Sequence, residues 1–398
     1  MRTLLKAKTL WDGADSLEDP VIVIDENEIA FMASRATGQE PARTLTAVYD
    51  FPDATLAPAF FDVHIHGSAG HDVMEATPEA LHAVGCFLAS CGTASYLATT
   101  VSAPVDTTLR ALSGLARLIE NPGLIEANGN PEQPSARPLG IHLEGPFLSH
   151  EKRGAHPCEH LLPPDIGLFD RLFEAAEGHL RLITLAPELP GAAELAAHAT
   201  ARGVRVSVGH SDATAAQTRA AIAAGAASAT HTFNAMRALD HREPGILGTV
   251  LTDDSLFAEL ICDGIHNTRE MVKIWWRTKG PERAILVTDA MSAAGMPDGA
   301  YKLGGMTVQV ADRRATINGV LAGSVLTLDR AVTNFIEFTG ATVEQALRLV
   351  TVNPSAMTRL SGHAGRLEVG QPANLVALDA EGRLSAAFVN GKAVTRCS

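Results

Sequence analysis

Histidine and carboxylate side chains recur in this sequence at the points where predicted β-strands end. Imidazoles and carboxylates are the groups that hold a hydrolytic metal ion and move protons beside it. A parallel β/α barrel builds its active site at the carboxyl ends of its strands. The pattern therefore predicts a metal-dependent enzyme. Its residues are His64 and His66 in F-F-D-V-H-I-H-G, Glu144 in G-I-H-L-E-G-P, His210 in V-S-V-G-H-S-D, His231 in S-A-T-H-T-F-N-A-M, and Asp289 in I-L-V-T-D-A-M.

The first of these segments places three polar residues on one face of a strand. Side chains alternate along a strand, so Asp62, His64 and His66 point the same way. A parallel barrel strand is expected to be apolar on both faces. A lone buried histidine is more often a hydrogen-bonded core residue than a ligand, but a pair at this spacing beside an aspartate favours a site. His142 and Glu144 repeat the pattern, although Glu144 could also be half of a buried salt bridge.

Apolar strand patterns alternate with longer helical patterns from residue 57 to residue 362, which is typical of repeated β/α units. Eight strand candidates can be counted, and eight is the number that closes a (β/α)₈ barrel of the TIM type. We therefore predict an α/β protein with such a barrel. The candidates are Ala59–His66, Ser95–Val101, Leu139–Glu144, Leu180–Leu185, Val204–His210, Ser228–Phe233, Phe257–Cys262 and Ala284–Asp289.

Short strand-like runs with turn signals flank this barrel at both ends of the chain. Neither flank alone has enough strands to be stable. We therefore predict that residues 1–56 and 363–398 pair into one small, discontinuous β-sandwich domain, beside a barrel domain of residues 57–362.

Composition narrows the classes of partner. The formal net charge of −13 disfavours nucleic acid and anionic membrane surfaces, and no apolar run is long enough to span a bilayer. The start of the chain lacks the apolar region of a signal peptide. The five cysteines show no C-x-x-C spacing, which favours reduced thiols in a cytoplasmic protein.

The order of the strands predicts which ligands meet. His210 and His231 lie about one β/α unit apart, so their imidazoles should reach one ion together with Glu144. His64 and His66 on the first strand should neighbour Asp289 on the eighth once the barrel closes. They could complete a second site with Glu144 as the bridge. Imidazole and carboxylate ligands suit Zn²⁺, with Fe²⁺ or Co²⁺ as alternatives.

Longer motifs resemble the amidohydrolase superfamily and, within it, the N-acetylglucosamine-6-phosphate deacetylases. The resemblance covers nearly the whole chain. The H-L-E-G-P-F block and T-H-T-F-N-A-M are more specific than H-x-H, which the whole superfamily shares. One departure is Asn374, where an aspartate is usual. The other motifs are K-R-G-A-H-P, V-G-H-S-D-A-T, R-E-P-G-I-L-G, C-D-G-I-H, V-T-D-A-M-S-A-A-G and N-G-V-L-A-G-S.

This resemblance implies a cytoplasmic deacetylase of a phosphorylated amino sugar, in amino-sugar catabolism or recycling. A divalent metal, one or two ions per subunit, would polarise the acetamide and activate water. Asp289 would accept a proton from the water and return it to the leaving amine, although it could instead be only a metal ligand. The implied substrate-binding residues are Ala155, His156, Asn234, Ala235, Arg242, His266, Leu321, Ala322 and Gly323.

The resemblance also implies a homodimer whose phosphate site is built partly at the subunit interface. Asn234 and Ala235 would bind the phosphate and Arg242 would clamp it, so Arg242 or His266 could act in the partner's site. Without this resemblance, Arg242 and His156 would be interpreted as ordinary loop residues. Lys152 and Arg153 are interpreted as ordinary loop charges.

Three alternatives stay open at this point. The first is the galactosamine epimer of the substrate, which differs in the orientation of one hydroxyl group. The second is an N-acyl amino acid, which would leave the phosphate residues without use. The third is a barrel that has lost its chemistry, which is disfavoured because all the candidate ligands are present.

Overall fold

The computed structural model describes residues 2–38, 45–127 and 133–395. Its centre is a sheet of eight parallel strands whose spatial order follows the chain order. This confirms the predicted barrel. We number barrel strands 1 to 8 as Phe60–Ile65, Thr93–Thr100, Arg137–Glu144, Leu180–Leu185, Arg205–Val208, Ala226–Ala229, Phe257–Ile261 and Ala284–Val287.

The sheet closes where barrel strand 8 meets barrel strand 1. The Asp289 N–H donates to the His64 carbonyl at 2.9 Å, and the His66 N–H donates to the Ala290 carbonyl at 2.8 Å. A parallel bridge joins Ile65 to Ala290. This seam brings the H-x-H segment beside Asp289, as the strand count predicts.

Several barrel strands end earlier than their apolar patterns indicate. Barrel strands 5, 6 and 8 stop one or two residues before His210, His231 and Asp289. Those three residues have φ of 46°, 30° and 49°, in the left-handed region, which breaks the strand ladder. The predicted strands therefore extended further along the chain than the strands in the structure do.

Helices cover the outside of the barrel with their apolar faces inward. In the helix Val105–Glu120, the inward positions include Leu112 and Leu115, both fully buried. The helix Ala215–Ala223 begins with a capping box between Thr214 and Gln217. The remaining helices are Pro78–Ser90, Pro122–Glu126, Ile166–Ala175, Ala192–Ala201, Gly245–Thr252, Arg269–Arg283, Leu328–Thr339, Val343–Val350 and Val352–Thr358, with 3₁₀ turns at Arg35–Thr37, Val73–Glu75 and Cys158–His160.

Both ends of the chain contribute to a second eight-stranded sheet, as predicted. Its central pair is parallel and its other pairs are antiparallel. Buried side chains of this sheet form a separate hydrophobic core, which includes Leu5, Ile22, Leu56 and Phe388. The domain limits 1–56 and 363–398 stay a prediction. The strands of this second sheet are Arg2–Trp11, Ser16–Glu18, Pro20–Asp25, Glu28–Ser34, Ala47–Pro58, Leu375–Leu378, Leu384–Val389 and Lys392–Ala393.

A four-stranded antiparallel sheet follows barrel strand 8 and was not predicted. We call it the insertion sheet; its strands are Gly299–Leu303, Met306–Ala311, Arg314–Ile317 and Val320–Leu321. Each connection has two residues of positive φ, and two of them are the dipeptides Gly304-Gly305 and Asn318-Gly319. These are the residues that tight hairpin turns require. A smaller hairpin, Gly67–Ser68 with His71–Asp72, follows barrel strand 1.

Two further predictions can be compared with the described residues. No helix among them is both long and apolar enough to cross a membrane. Among the described residues, Cys158 and Cys262 are free thiols, and Cys397 lies outside the described residues.

Candidate active site

The carboxylate of Glu144 is the centre of the histidine cluster. It lies at the end of barrel strand 3 and is 2% exposed. Five imidazole Nε2 atoms surround its two oxygens at 3.2–3.4 Å. They belong to His64, His210 and His231 on the Oε1 side and to His66 and His156 on the Oε2 side.

Glu144, His210 and His231 form the tightest cluster, which we call the primary cluster. Each histidine Nε2 lies 3.2 Å from Glu144 Oε1, and the two Nε2 atoms are 3.0 Å apart. Ligand atoms bound tetrahedrally to Zn²⁺ would be separated by about 3.3 Å. The separations among Glu144 Oε1 and the two Nε2 atoms are thus close to those of ligands that share one cation.

Main-chain carbonyls orient two of the imidazoles toward the cluster. Nδ1 of His210 lies 2.9 Å from the Lys152 carbonyl, and Nδ1 of His66 lies 3.0 Å from the Thr99 carbonyl. A carbonyl can only accept, so each Nδ1 carries the proton. When such a ring is neutral, the lone pair of its Nε2 faces Glu144, which is the arrangement that metal-binding histidines use.

His64 and His66 form a second cluster on the other side of Glu144, which we call the strand-1 cluster. Asp289 Oδ1 lies 3.5 Å from His64 Nε2 and 3.1 Å from His66 Nε2. Within the described part of the chain, the fully buried Nε2 of His64 makes no hydrogen bond. A buried nitrogen of this kind, facing two carboxylates and a second imidazole, fits a metal ligand.

Asp289 faces the strand-1 cluster as an ionised carboxylate. Burial alone would raise the pKa of Asp289, but the neighbouring His64 and a hydrogen bond from His66 outweigh burial and lower the pKa to about 2. Its main chain is held on both sides, because the Ser324 N–H donates to the Asp289 carbonyl at 2.7 Å. The carboxylate is therefore fixed and able to accept a proton at neutral pH.

His156 has the opposite tautomer from His66 and His210. Its Nδ1 accepts the main-chain N–H of Ser102 at 3.2 Å and lies 2.9 Å from the Ser102 hydroxyl. In a neutral ring the proton then sits on Nε2, which lies 3.4 Å from Glu144 Oε2. His156 is close enough to Glu144 and His210 to belong to a metal cluster, but this tautomer makes it a hydrogen-bond donor.

A cavity of about 470 Å³ opens above these residues, within the usual range of about 300–1,000 Å³ for ligand pockets. Ala322 is buried behind the wall, and Arg242 is exposed on a loop and does not line the cavity. The other predicted substrate residues line it: Ala155, His156, Asn234, Ala235, His266, Leu321 and Gly323.

The imidazole of His266 lines this cavity beside the carboxylate of Asp263. Burial lowers the pKa of His266, but the hydrogen bond to Asp263 and its charge outweigh burial, so the pKa is raised above 6.5. The same contact lowers the pKa of Asp263 against the opposing effect of burial. Nδ1 of His266 lies 2.7 Å from Asp263 Oδ2, which leaves its other N–H free for an anionic ligand.

Lys152 and Arg153, which were predicted to be ordinary loop charges, both line the cavity. Both residues lie in the K-R-G-A-H-P motif, in which Gly154 comes close to the ring of His210. The prediction also missed Glu259, which is fully buried on barrel strand 7. The signal was a charged residue in the middle of the apolar run F-A-E-L-I.

Comparisons with known proteins agree with this geometry. The model of the amidohydrolase family matches residues 55–394. The chain is 40% identical to the N-acetylgalactosamine-6-phosphate deacetylase of Escherichia coli O157:H7 over 98% of this chain and 99% of that one. It is also 40% identical to the N-acetylglucosamine-6-phosphate deacetylase of Lysinibacillus sphaericus, over 81% of each chain.

A solved structure extends the similarity to three dimensions. It is a mutant N-acetyl-D-glucosamine-6-phosphate deacetylase of Mycobacterium smegmatis in complex with N-acetyl-D-glucosamine-6-phosphate. It superposes with a TM-score of 0.88 at 34% identity, covering 99% of this chain and 100% of that one. With the family model matching most of its length, this chain belongs to the amidohydrolase family and is a hydrolase of amide bonds.

Proposed function

We propose that this protein hydrolyses the acetamide of N-acetyl-D-glucosamine 6-phosphate to D-glucosamine 6-phosphate and acetate, in amino-sugar catabolism or recycling. The observation that carries the proposal is the ring of imidazoles around Glu144 at the floor of the cavity, with the ionised Asp289 beside it. The names of the Lysinibacillus and Mycobacterium proteins support the choice of substrate.

The donor set fits a divalent metal, for which we propose Zn²⁺, with Fe²⁺ or Co²⁺ as alternatives. Glu144, His210 and His231 would hold the primary ion, and His64 and His66 would hold a second ion. A bound ion would supply Lewis acidity toward the acetamide carbonyl and an activated water.

The side chains of this protein would stabilise the acetamide oxygen and transfer the protons. Nε2–H of His156 is directed toward the cluster and would donate a hydrogen bond to the acetamide oxygen, which gains negative charge during attack. Asp289, ionised and in contact with His66, would accept the proton of the attacking water. It would then return that proton to the amine nitrogen, so that the amine leaves uncharged.

The phosphate would bind at the other end of the cavity. Asn234 and Ala235 line it there, and the cationic His266 is close to them, since the Asn234 amide donates to the His266 carbonyl. We propose that Arg242 completes the phosphate site of the partner subunit in a homodimer. Its exposure, and its distance from the cavity of its own chain, support this arrangement. We further propose that the enzyme acts in the cytoplasm.

The galactosamine epimer is not favoured as the main substrate. It is the substrate in the name of the Escherichia coli relative, whereas the solved structure that covers nearly the whole chain holds the glucosamine compound.

Steady-state kinetics of the metal-analysed protein test the proposal. The panel contains both epimers of the N-acetylhexosamine 6-phosphate, the unphosphorylated N-acetyl sugars, and an N-acyl amino acid as control. We expect the highest kcat/KM on the glucosamine 6-phosphate compound. Equal rates on phosphorylated and unphosphorylated sugars, or no acetate release at all, would contradict the proposal.

A further inference from the structure

Glu259 is a buried carboxylate that the proposed reaction leaves without a role. It lies on barrel strand 7 and is 0% exposed. Taking a carboxylate out of water costs several kcal/mol unless a partner compensates. Among the described residues, Glu259 Oε1 has no hydrogen-bond partner. The contacts that stabilise this side chain must therefore be made mainly by Oε2.

Glu259 Oε2 contacts both histidine clusters. It lies 3.3 Å from Nδ1 of His64 and accepts the main-chain N–H of His231 at 3.4 Å. The first contact is to a ring of the strand-1 cluster. The second is to the main chain of a residue in the primary cluster. Glu259 therefore acts on a ligand ring at one site and only on the backbone at the other.

We infer that Glu259 is a positioning residue that holds the proton of His64 on Nδ1 and so prepares the strand-1 cluster to bind the second metal ion. A carboxylate can only accept, so its contact selects the Nδ1–H tautomer. That leaves the lone pair of Nε2 directed at Glu144 and Asp289, 3.4 and 3.5 Å away. The inference rests on the proposed function in one respect, namely that a divalent ion binds at this site.

The surroundings of His64 explain why this contact matters. His66 and His210 have main-chain carbonyls as the partners of Nδ1, but His64 has a charged side chain instead. The ring of His142 lies 4.7 Å from that of His64. The ring nitrogens of His142 are engaged by the hydroxyls of Thr184 at 2.7 Å and Thr99 at 3.5 Å, so His142 is not a hydrogen-bond partner of His64. Removing Glu259 would leave His64 free to take either tautomer.

The test compares Glu259→Leu and Glu259→Gln with Asp62→Asn as the matched control. Leu removes the acceptor at similar volume, whereas Gln keeps a carbonyl oxygen and removes only the charge. Asp62 is also a fully buried carboxyl, but it accepts the main-chain N–H of His64 and the hydroxyl of Thr288 rather than a ligand ring.

The first readout is the affinity for Zn²⁺, measured by competition with a chelator. Loss of a partner that orients a ligand lowers metal affinity by about 10- to 100-fold. We expect Glu259→Leu to weaken the second ion by about this factor and the first by less than about 3-fold, with a smaller loss for Glu259→Gln. Asp62→Asn should leave the ratio of the two affinities unchanged. Equal weakening of both ions in Glu259→Leu, or of neither, would overturn the inference.

The second readout needs neither metal nor activity. Burial alone would lower the pKa of His64, but the charges of Glu144 and Asp289 raise it well above 6.5. ¹⁵N NMR of metal-free, histidine-labelled protein is therefore recorded at a pH high enough for the ring to be neutral, where it distinguishes the two tautomers; the signal of His64 is identified by its loss in His64→Gln. The wild-type protein should show His64 protonated on Nδ1, and Glu259→Leu should show a mixture. An Nε2–H tautomer in the wild type would overturn the inference. Wild-type protein that binds no Zn²⁺ would instead contradict the proposed function, so the two failures are distinguishable.

Discussion

The two histidine clusters that meet at Glu144 are built on different backbones. His64 lies in barrel strand 1 and His66 directly follows it, and neither residue has a positive φ. His210 and His231 lie beyond their strands in left-handed conformations, with φ of 46° and 30°. Such conformations cost about 1–3 kcal/mol for each non-glycine residue. The histidines of the primary cluster are therefore held in place at a conformational cost that the two histidines of the strand-1 cluster do not carry.

Exchanging one ligand in each cluster tests this difference most strongly. His231→Ala should remove the primary ion and lower kcat/KM by more than about 100-fold, since losing a ligand costs more than losing a partner that orients one. His64→Ala should retain the primary ion and lose less activity. Elemental analysis and kinetics of both variants provide the measurement. Full metal content and activity in His231→Ala would show that the primary cluster is misassigned.

Asp289 touches the strand-1 cluster and is expected to move protons for both clusters. Asp289→Asn keeps the shape but cannot accept a proton, so kcat should fall by at least about 100-fold with little change in KM. Metal content is measured alongside, because an unchanged content separates proton transfer from ligation. A variant with near-normal kcat would exclude Asp289 from the proton path.

The phosphate end lies outside both clusters, so its loss should spare the metal. Arg242→Ala should lower kcat/KM toward the 6-phosphate substrate by about 10- to 150-fold, the equivalent of one charge-assisted hydrogen bond of about 1.5–3 kcal/mol. Unphosphorylated N-acetylglucosamine, as the matched substrate, should change little. Arg242→Lys should recover only part of the loss, because an ammonium cannot form the bidentate contact.

Mixing variants tests whether Arg242 acts in the partner subunit. Arg242→Ala and Asp289→Asn protomers should form heterodimers in which one site has both wild-type residues. Activity should then exceed that of either variant alone. No gain after confirmed subunit exchange would contradict a contribution from the partner.

The smallest expected effect is on the pH dependence of substrate binding. The pKa of His266 is raised above 6.5 by Asp263, so the imidazolium persists above that pH and is lost as pH rises through the raised pKa. Asp263→Asn should move the alkaline limb of kcat/KM to lower pH, because the hydrogen bond and charge that raise the pKa of His266 are lost. Kinetics between pH 6 and pH 9 on phosphorylated and unphosphorylated substrates measure the shift. An unmoved limb would show that His266 does not bind the substrate as a cation.

The same ion pair also has a window in which it stabilises the fold. The contribution of His266 is complete below its ordinary pKa of 6.5, and that of Asp263 is complete above its ordinary pKa of 3.8. Between these values both contribute fully. The contribution declines as pH rises through the folded pKa of His266, or falls through that of Asp263.

How much was predictable differs between the barrel and its loops. Apolar runs predicted all eight barrel strands, because burial on both faces leaves a signal in composition. The tight turn after barrel strand 5 was missed, because nothing in V-S-V-G-H indicates that His210 leaves the ladder. The cavity positions of Lys152 and Arg153 were missed as well, since the direction of a loop side chain depends on the packing of distant segments.

The insertion sheet was missed for a different reason. The dipeptides Gly304-Gly305 and Asn318-Gly319 are hairpin signals, but the strands between them are short and half-exposed. Runs of apolar residues therefore predict the buried barrel strands but not these short strands. Glu259 was not predicted as a site residue, because its only signal is a single charged residue within an apolar strand.

The insertion sheet also has a consequence for how this enzyme could diversify. Leu303, Val320 and Leu321 line the cavity from the first and last strands of this sheet, each of which pairs with its neighbour along the chain. The metal-binding and proton-transferring groups come from the barrel rim instead. A hairpin unit built from such local pairings can be lengthened, shortened or exchanged without moving the barrel seam. The part of the cavity wall that this sheet supplies is thus encoded apart from the barrel rim, and selection can alter that wall while the rim stays constant.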